Sequence, residues 1–281
     1  MLEVERFEKI MEYLREKKTA PVNVLAKRLF VSEATMRRDL SELERKGLVK
    51  RLHGGAILLD GANQELPLYL RERQNTDAKR MISEKASHHI VEGQTIFLDA
   101  SSTAQYLIKY FENYQNLTII TNGLKTAQEL NSLSHRIYCT GGLLLHNSSA
   151  YVGDFAADFV RNFNADIMFF SSRGVSESGQ ITDASREETY IRQVMLQQSR
   201  KHIFLCDHNK IGQVYCYNLC NVSQLDDYIT DLYLFRIVTL SNVICAVLHP
   251  SACSRIPAVS VPRRARWLRN WTDSGNGSRE A

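Results

Sequence analysis

Short side chains and arginines alternate along one side of a predicted helix between Val31 and Gly47. Counted at 3.6 residues per turn, Met36, Leu40 and Leu43 form the opposite, apolar side, which must face a core. Small residues allow close approach to a DNA groove, and arginine can fork onto guanine edges or phosphates. A solvated basic face is the alternative interpretation. The candidate DNA-contacting residues of this helix are Ser32, which is also a plausible N-cap, and Ala34, Thr35, Arg37, Arg38, Ser41 and Arg45.

The flanking sequence favours the DNA-binding interpretation. Upstream lie an amphipathic helix and a second helix at Pro21–Phe30, with Pro21 in its opening turn. This order of a short helix, a tight turn and an arginine-bearing helix is typical of the helix-turn-helix motif. After Gly47 the segment LVKRLHGGAILL alternates apolar and basic residues, and Gly54-Gly55 supplies a hairpin turn, which predicts a wing. The wing residues placed to touch DNA backbone or the minor groove are Lys50, Arg51 and His53.

A second set of polar residues follows four predicted strands. Ligands of open α/β sheets bind outside the carboxyl ends of the strands. Where the first strand hands over to a helix, three hydroxyls and the free amides of the first turn would suit a phosphate. The alternative is that Ser101 merely caps that helix. The strand-end residues are Asp99, Ser101, Ser102 and Thr103, then Thr121 and Asn122, then Gly141 and Gly142, and finally Asp207 and Lys210.

Strands that are apolar throughout alternate with helices over this part of the chain, which predicts a mainly parallel sheet covered on both faces. The predicted fold class is therefore α/β, with an N-terminal winged helix-turn-helix followed by a mainly parallel α/β sensor domain. The predicted strands are Thr95–Leu98, Leu117–Ile120, Arg136–Cys139, Asp166–Phe170 and Ile203–Cys206. The predicted helices are Thr76–Val91, Ala104–Phe111, Leu124–Leu130 and Glu187–Gln198.

Composition narrows the class of protein. The chain has 281 residues, 44% of them hydrophobic, and no run approaches the roughly 20 apolar residues that a membrane helix needs. The charged N-terminus lacks a signal-peptide core, so we expect a cytoplasmic protein. The six cysteines form no CxxC pair, so we expect neither a disulfide framework nor a metal site, and no cofactor.

Charge divides the chain unevenly. Residues 1–58 carry 13 Lys and Arg against 9 Asp and Glu, whereas residues 59–231 carry 15 against 20. A basic N-terminal segment next to an acidic remainder is expected if the N-terminal segment binds the phosphates of DNA. We expect a DNA-binding domain at 1–58, a linker at 59–74 and a sensor domain at 75–235. Residues 236–281, rich in arginine and proline, are expected to be an atypical basic tail: lineage-specific, or produced by a change of reading frame, with 263–281 disordered.

The segment VSEATMRRDLSELERKGLVKRLHGGA closely resembles the signature of the DeoR family of bacterial transcription regulators. The match is long and specific. The resemblance implies a winged helix joined to an α/β domain that senses a phosphorylated sugar and resembles ribose-5-phosphate isomerase in fold. The matching residues are Val31, Ser32, Thr35, Met36, Arg37, Arg38, Asp39, Leu40, Leu43, Glu44, Gly47, Arg51, His53, Gly54, Gly55 and Ala56.

The resemblance extends to the strand ends. The family carries D-x-S-S/T-T, TN, GG and D-x-S-K elements, and the last departs here at Asn209, where serine is usual. It implies that Lys210 reaches the phosphate or sugar and that Asp99 and Glu188 accept sugar hydroxyls. A surface lysine without a ligand remains the alternative for Lys210. A further family segment matches Gly179, Thr182, Glu187, Glu188 and Arg192, which adds Thr182 and Glu188 to the candidate effector-binding residues.

The leading functional prediction is a DNA-binding transcription regulator, a repressor of a carbohydrate operon, whose DNA affinity responds to a phosphorylated sugar. One recognition helix covers one half-site, so we expect a homo-oligomer on double-stranded operator DNA. The alternative is a sugar-phosphate isomerase or transferase with an accessory DNA domain. Asp99 would then be the base and Lys210 the stabiliser of an enediolate oxygen. We find no convincing second acid–base partner, so we expect no catalytic residues.

Overall fold

The computed structural model of the chain describes residues 1–59 and 66–232, and the backbone of two further strands. The central part of the predicted linker, residues 60–65, and the tail segment 263–281 that was predicted to be disordered lie outside the described residues. The two further strands, Leu234–Leu240 and Val243–Leu248, pair antiparallel. Within the described residues, each helix is too short or too polar to cross a membrane.

Residues 1–59, called the head below, fold as three helices and a three-stranded antiparallel sheet around one apolar core. Helix α3 begins where the Ser32 hydroxyl accepts from the Thr35 amide at 3.1 Å, which confirms the predicted N-cap. The core includes Phe7, Leu25 and Leu40, each almost fully buried. The elements are α1 (Glu3–Lys17), β1 (Thr19–Pro21), α2 (Val22–Leu29), α3 (Glu33–Arg45), β2 (Val49–Leu52) and β3 (Gly55–Leu58).

The head differs from the prediction in three details. Pro21 has an extended backbone (φ −68°, ψ 146°), ends β1 and is the N-cap of α2, so the second helix starts one residue later than predicted. The three-residue strand β1 was not predicted. The wing turns at His53-Gly54, where Gly54 has a φ of +84°, and Gly55 already belongs to β3. A Cβ on Gly55 would lie 2.5 Å from the Ala20 carbonyl oxygen, so this position must be glycine for β1 and β3 to pair.

Residues 66–75, called the connector below, follow the undescribed gap. They form a short helix, α4 (Leu68–Arg71), within the segment that was predicted to be a linker. Leu70 is 1% exposed because it packs in the apolar core of the head. The connector is therefore an ordered element attached to the head, and it leads directly into α5 (Thr76–Ser87).

Residues 76–232, called the body below, are built on a six-stranded sheet whose strands are all parallel, which confirms the predicted mainly parallel α/β fold. The strand order is β14-β12-β9-β4-β5-β6. The strands are β4 (Thr95–Leu98), β5 (Thr118–Thr121), β6 (Arg136–Cys139), β9 (Ile167–Phe170), β12 (His202–Cys206) and β14 (Asp227–Thr230).

Two apolar clusters cover the two faces of this sheet, as the unbroken hydrophobic strands require. Phe97 and Phe204 belong to one cluster, and Leu98 and Leu205, next in each strand, belong to the other. The covering helices are α6 (Ile108–Phe111), α7 (Leu124–Leu130), α8 (Asp154–Arg161) and α9 (Arg186–Gln197), with α5. The predicted helix at Ala104–Phe111 is a 3-10 turn, Ala104–Leu107, continued by α6.

Two small sheets complete the body. They are a hairpin of β7 (Leu143–Leu145) with β8 (Ala150–Val152), and an antiparallel sheet of β10 (Gly174–Val175), β11 (Gln180–Asp183) and β13 (Tyr217–Asn221). The two strands beyond the body are β15 (Leu234–Leu240) and β16 (Val243–Leu248). The described cysteines Cys139, Cys206, Cys216 and Cys220 are free thiols.

Candidate functional sites

The exposed face of α3 and the wing carry the predicted DNA-contacting residues. Met36, Leu40 and Leu43 are fully buried, so the opposite stripe faces outward. The wing is joined to this stripe because the Arg51 guanidinium donates to the Ser41 hydroxyl at 2.6 Å, and the Arg51 amide donates to Glu44 at 2.7 Å. The exposed members are Ser32, Ala34, Arg37, Arg38, Arg45, Lys50, Arg51 and His53, and the half-buried ones are Thr35 and Ser41.

Two arginines of this surface already have acidic neighbours on the helix. Arg37 contacts Glu33 at 3.0 Å, and Arg45 contacts Glu42 at 2.6 Å. Exposed pairs of this kind contribute about 0–1 kcal/mol, so either arginine can exchange its partner for a phosphate. The surface therefore combines short and cationic side chains on one helix with cations on an adjacent wing.

A partly buried ion pair that was not predicted orients this helix. The Asp39 carboxylate accepts from the Arg6 guanidinium at 2.6 and 2.9 Å, and Asp39 is 3% exposed. This bidentate contact joins α3 to α1, and it raises the pKa of Arg6. Asp39 directly follows Arg37 and Arg38 in the RRDL part of the signature. Its carboxylate therefore positions α3, the helix that carries these two outward-facing arginines.

The second candidate site is a cavity of about 570 Å³ at the carboxyl ends of the central body strands. Its volume is within the range of roughly 300–1,000 Å³ that is common for small-molecule sites. Three neighbouring strands each contribute residues from the turn that follows them. These residues are Ser101, Ser102 and Thr103 after β4, Ser171, Ser172 and Arg173 after β9, and Asp207, Asn209 and Lys210 after β12.

Lys210 connects the three strand ends. Its Nζ donates to the Ser171 hydroxyl at 2.7 Å and to the Thr103 hydroxyl at 3.2 Å, and lies 3.3 Å from Asp207. Burial alone would raise the pKa of Asp207, but Lys210, together with Lys79 and the Asn209 amide, offsets this effect and lowers it. Asp207 also accepts from Asn75 of the connector at 3.0 Å. The predicted lysine and two of the predicted loops are thus brought together around one ammonium group.

Arg192, on α9, forms the base of the cavity with three carboxylates. Its guanidinium lies 2.8 Å from Asp99, 2.8 Å from Asp183 and 2.9 Å from Glu188, and all four side chains are at most 4% exposed. Burial alone would lower the pKa of Arg192, but the three carboxylates raise it above its ordinary value. The sequence analysis identifies Arg192 only as part of the family pattern, although its i,i+4 spacing from Glu188 could have predicted an ion pair between the two.

Both oxygens of Asp99 are engaged. One accepts from the Ser101 hydroxyl at 2.5 Å, and the other accepts from Arg192 Nε at 2.8 Å. Glu188 differs, because its Oε1 is buried and makes no hydrogen bond within the part of the chain that the structure describes. Burial raises the pKa of Glu188, but Arg192, Arg71, the neighbouring Ser148 hydroxyl and Arg173 together outweigh that effect and lower it. Glu188 lines the cavity as an ionised acceptor, whereas Asp99 lies behind the lining.

The other predicted effector residues, Thr121, Asn122, Gly141, Gly142 and Thr182, do not line the cavity and make contacts within neighbouring turns instead. The Asn122 side chain accepts from the Ala100 amide at 3.1 Å and donates to the Tyr151 carbonyl at 3.1 Å. Thr121 accepts from the Gly123 amide at 3.0 Å, and Thr182 accepts from the Tyr215 amide at 2.9 Å. The Gly141-Gly142 turn has positive φ values, and a Cβ on Gly142 would lie 2.7 Å from the Val152 carbonyl oxygen.

Lys79, which was not predicted, adds a buried cation to the cavity. It is 3% exposed and its ammonium donates to the Arg71 carbonyl oxygen. Burial, followed by the nearby charge of Lys210, lowers the pKa of Lys79 to about 7. Lys79 lies on the same side of α5 as the buried Ile82. A lysine on a buried side of a helix is unusual, so this position could have been recognised from the sequence. Cations outnumber acids in the lining, which contains Arg15, Lys18, Arg71, Lys79, Arg173, Arg192 and Lys210 against Asp183, Glu188 and Asp207.

Two family models match the chain. That of the DeoR-like helix-turn-helix domain matches residues 6–61, and that of the DeoR C-terminal sensor domain matches residues 74–232. The chain belongs to the DeoR family of transcriptional regulators. The recognised family signature and the predicted class of DNA-binding regulator are thereby confirmed.

Relatives within the DeoR family align over most of the chain. The transcriptional regulator GolR of Listeria innocua is 34% identical over 82% of this chain and 91% of its own length. The lactose phosphotransferase system repressor of Staphylococcus aureus is 32% identical over 81% of this chain and 91% of its own. Ribose 5-phosphate isomerase A of Methanocaldococcus jannaschii aligns with 49% of this chain and 55% of its own at 14% identity and a TM-score of 0.38, a likeness too remote to support an argument.

Proposed function

We propose that this DeoR-family chain is a repressor of a carbohydrate operon and that a phosphorylated sugar bound in the body cavity changes its affinity for operator DNA. The observation that carries the proposal is the Lys210 ammonium, held among Ser171, Thr103 and Asp207 in a cavity where cations exceed acids. A phosphate dianion would find charge-assisted donors there. The repressor assignment is supported by the S. aureus relative, which is named as the repressor of a lactose phosphotransferase system.

The cavity offers different partners to the two ends of such a ligand. Lys210 and the hydroxyls of Ser102 and Thr103 would take the phosphate, whereas the Ser101 hydroxyl already donates to Asp99. Glu188, with its buried Oε1, would accept a sugar hydroxyl. Asp99 and Arg192 would act as positioning residues, because their polar atoms are already hydrogen-bonded to each other and to neighbouring side chains.

Catalysis on the same sugar phosphate is the competing function, and the geometry disfavours it. A general base must reach the proton that it removes. Asp99, the candidate base, is fully buried with both oxygens in hydrogen bonds, and its nearest cation is Arg192. A regulator needs no turnover, so the engaged Asp99 favours an effector site.

Regulation requires that the ligand bind the DNA-competent and DNA-incompetent arrangements unequally. A coupling of about 1–3 kcal/mol would reduce operator affinity several-fold to about a hundred-fold. One α3 helix serves one half-site, so the DNA-bound form would be a dimer or larger homo-oligomer. The ligand would favour an arrangement in which the two heads no longer match their half-sites.

The test uses the full chain and operator DNA selected by it from a random-sequence library. Operator affinity is measured by fluorescence anisotropy with a phosphosugar panel of glucose 6-phosphate, fructose 6-phosphate, ribose 5-phosphate and glycerol 3-phosphate. The unphosphorylated compounds and inorganic phosphate are controls. We expect at least one panel member to shift operator affinity where its unphosphorylated counterpart does not. No shift by any member would contradict the proposal, and turnover of a member without a shift would favour the enzyme.

A further inference from the structure

The body does not enclose the cavity alone, because residues of the DNA-binding head form part of its wall. Met11 and Arg15 of α1 line it, as do Leu48 and Leu58 at the base of the wing. These residues come from the domain that carries the recognition helix, whereas Lys210 and Glu188 come from the body. A ligand in the cavity would therefore lie between the two domains.

Two head residues, Arg15 and Lys18, bring charge to this wall, and Arg15 is the one whose guanidinium contacts the connector. Its guanidinium is hydrogen-bonded to Gln74 of the connector, whose side-chain oxygen, in the amide orientation that satisfies both groups, accepts at 2.9 and 3.3 Å. Partial burial lowers the pKa of Arg15, the Glu12 carboxylate opposes this effect, and the positive charge of Arg173 adds to it. Arg173 itself stands over the Tyr215 ring and lines the same cavity. Two guanidinium groups of like charge thus face one space from opposite domains, and an anion between them would relieve their repulsion.

The connector ties this arrangement to both domains. On the head side, the Tyr69 hydroxyl accepts from Lys46 at 2.8 Å. On the body side, the Glu72 carbonyl accepts from the Tyr106 hydroxyl at 2.9 Å and the Glu72 carboxylate pairs with Lys125. The Leu68 amide also donates to the Asn147 carbonyl at 2.7 Å. These contacts, which do not involve Arg15, support the head in this arrangement against the cavity.

We propose that the head completes the effector site, with Arg15 contacting the anionic group of the bound phosphosugar from across the domain boundary. This inference rests on the proposed function and adds its regulation. A ligand held by Arg15 and Lys210 together stabilises the arrangement in which the head lies on the body. An arrangement with the head moved away loses the Arg15 contact, so the ligand discriminates between the two. The coupling between ligand and DNA then passes directly through a side chain of the DNA-binding domain.

The test compares Arg15→Ala with Lys17→Ala in the full chain. Lys17 lies two residues further along α1, is exposed and pairs with Glu16, so its removal changes the head by the same charge outside the cavity. Binding of each member of the phosphosugar panel is measured by calorimetry. Operator affinity is measured with and without the tightest binder. Arg15→Lys tests whether charge at this position restores binding.

We expect Arg15→Ala to weaken phosphosugar binding about 10–100-fold, the loss of one charge-assisted hydrogen bond, and to reduce the ligand's effect on operator affinity. Ligand-free operator affinity and the melting temperature should match those of Lys17→Ala, and Arg15→Lys should recover part of the binding. Phosphosugar binding by Arg15→Ala that equals that of Lys17→Ala would overturn this inference alone. Failure of the parent chain to bind any panel member would overturn the proposed function, and this inference with it.

Discussion

Arg192 and Asp99 form a buried ion pair in which Nε lies 2.8 Å from Oδ2 and the side chains are 4% and 0% exposed. The same guanidinium also holds Asp183 and Glu188. A single cation therefore compensates three carboxylates at the base of the cavity. Truncating it would leave acids buried without a partner, which is among the costliest changes a protein interior can undergo.

Arg192→Ala should therefore destabilise the body by about 3–5 kcal/mol. The measurement is urea unfolding of the full chain followed by a probe of the body transition. Arg161→Ala is the matched control, because Arg161 makes an exposed pair with Asp158 at 2.6 Å that should contribute about 0–1 kcal/mol. Equal unfolding free energies for the two variants would show that the buried cluster does not stabilise the body as described.

Arg38 tests the assignment of α3 as the recognition helix. Arg38→Ala should reduce operator affinity by about 1–3 kcal/mol and blunt the preference for operator over random DNA, because the side chain faces outward opposite Met36, Leu40 and Leu43. The melting temperature should barely change. Arg80→Ala removes an exposed arginine from α5 and should leave operator binding intact. An Arg38→Ala chain that binds its operator normally would remove the recognition-helix assignment.

Lys79 should make phosphosugar binding depend on pH. Its pKa of about 7 arises from burial and from Lys210, with Arg71 acting in the same direction and Asp207 and Glu72 opposing. The folded chain loses this proton as pH rises through 7, whereas the unfolded chain keeps it to about 10.5, so the free energy of unfolding due to Lys79 rises with pH across that window. A bound anion favours the charged form and reverses this preference.

Phosphosugar affinity should consequently fall by up to about tenfold per pH unit above pH 7, where the phosphate, with a second pKa of about 6, is already a dianion. Calorimetry in buffers of different ionisation enthalpy should record proton uptake on binding. Lys79→Met should flatten the dependence. An unchanged slope in that variant would assign the proton to another group.

The prediction for Phe30 concerns only the stability of the head. It is 95% exposed and adopts a left-handed conformation at the end of α2, with φ 54° and ψ 43°. That conformation costs a side chain roughly 1–2 kcal/mol and favours glycine. Phe30→Gly should therefore stabilise the head by about 1 kcal/mol in thermal unfolding.

The matched control for Phe30→Gly is a variant that should change stability in the opposite direction. Phe155 is 86% exposed but lies within α8, where glycine is unfavourable by about 0.5–1 kcal/mol. Phe155→Gly should destabilise the body. The same direction of change in both variants would refute the backbone explanation and point to loss of apolar side-chain contacts.

The elements that could be predicted from the sequence are those with a strong period. The stripe Met36, Leu40 and Leu43 identified α3, and unbroken apolar runs identified strands such as β4 and β12. The strands β1, β7 and β10 contain only two or three residues, too few for any alternation to be visible. The start of α2 was misplaced because a proline fits both the end of a strand and the first turn of a helix.

The site was predictable where its residues follow strands and not where they meet across domains. Lys210 and Ser101–Thr103 were found by the strand-end rule, and the same rule applied to β9 would have found Ser171 and Ser172. Arg15 carries no local signal, because its place on the cavity wall depends on how the connector packs against the head. Asp99 was assigned to the ligand from its position, but the contact that engages it comes from Arg192, 93 residues away.

The central claim is tested most directly by operator affinity with and without the phosphosugar panel, measured for the parent chain and for Lys210→Ala. We expect the parent to lose affinity several-fold to about a hundred-fold with one panel member and to ignore its unphosphorylated form. Lys210→Ala should bind the operator as the parent does and lose that response, since its ammonium joins the three strand ends. A parent chain that responds to no panel member, or a Lys210→Ala chain that responds as the parent does, would contradict sensing at this cavity.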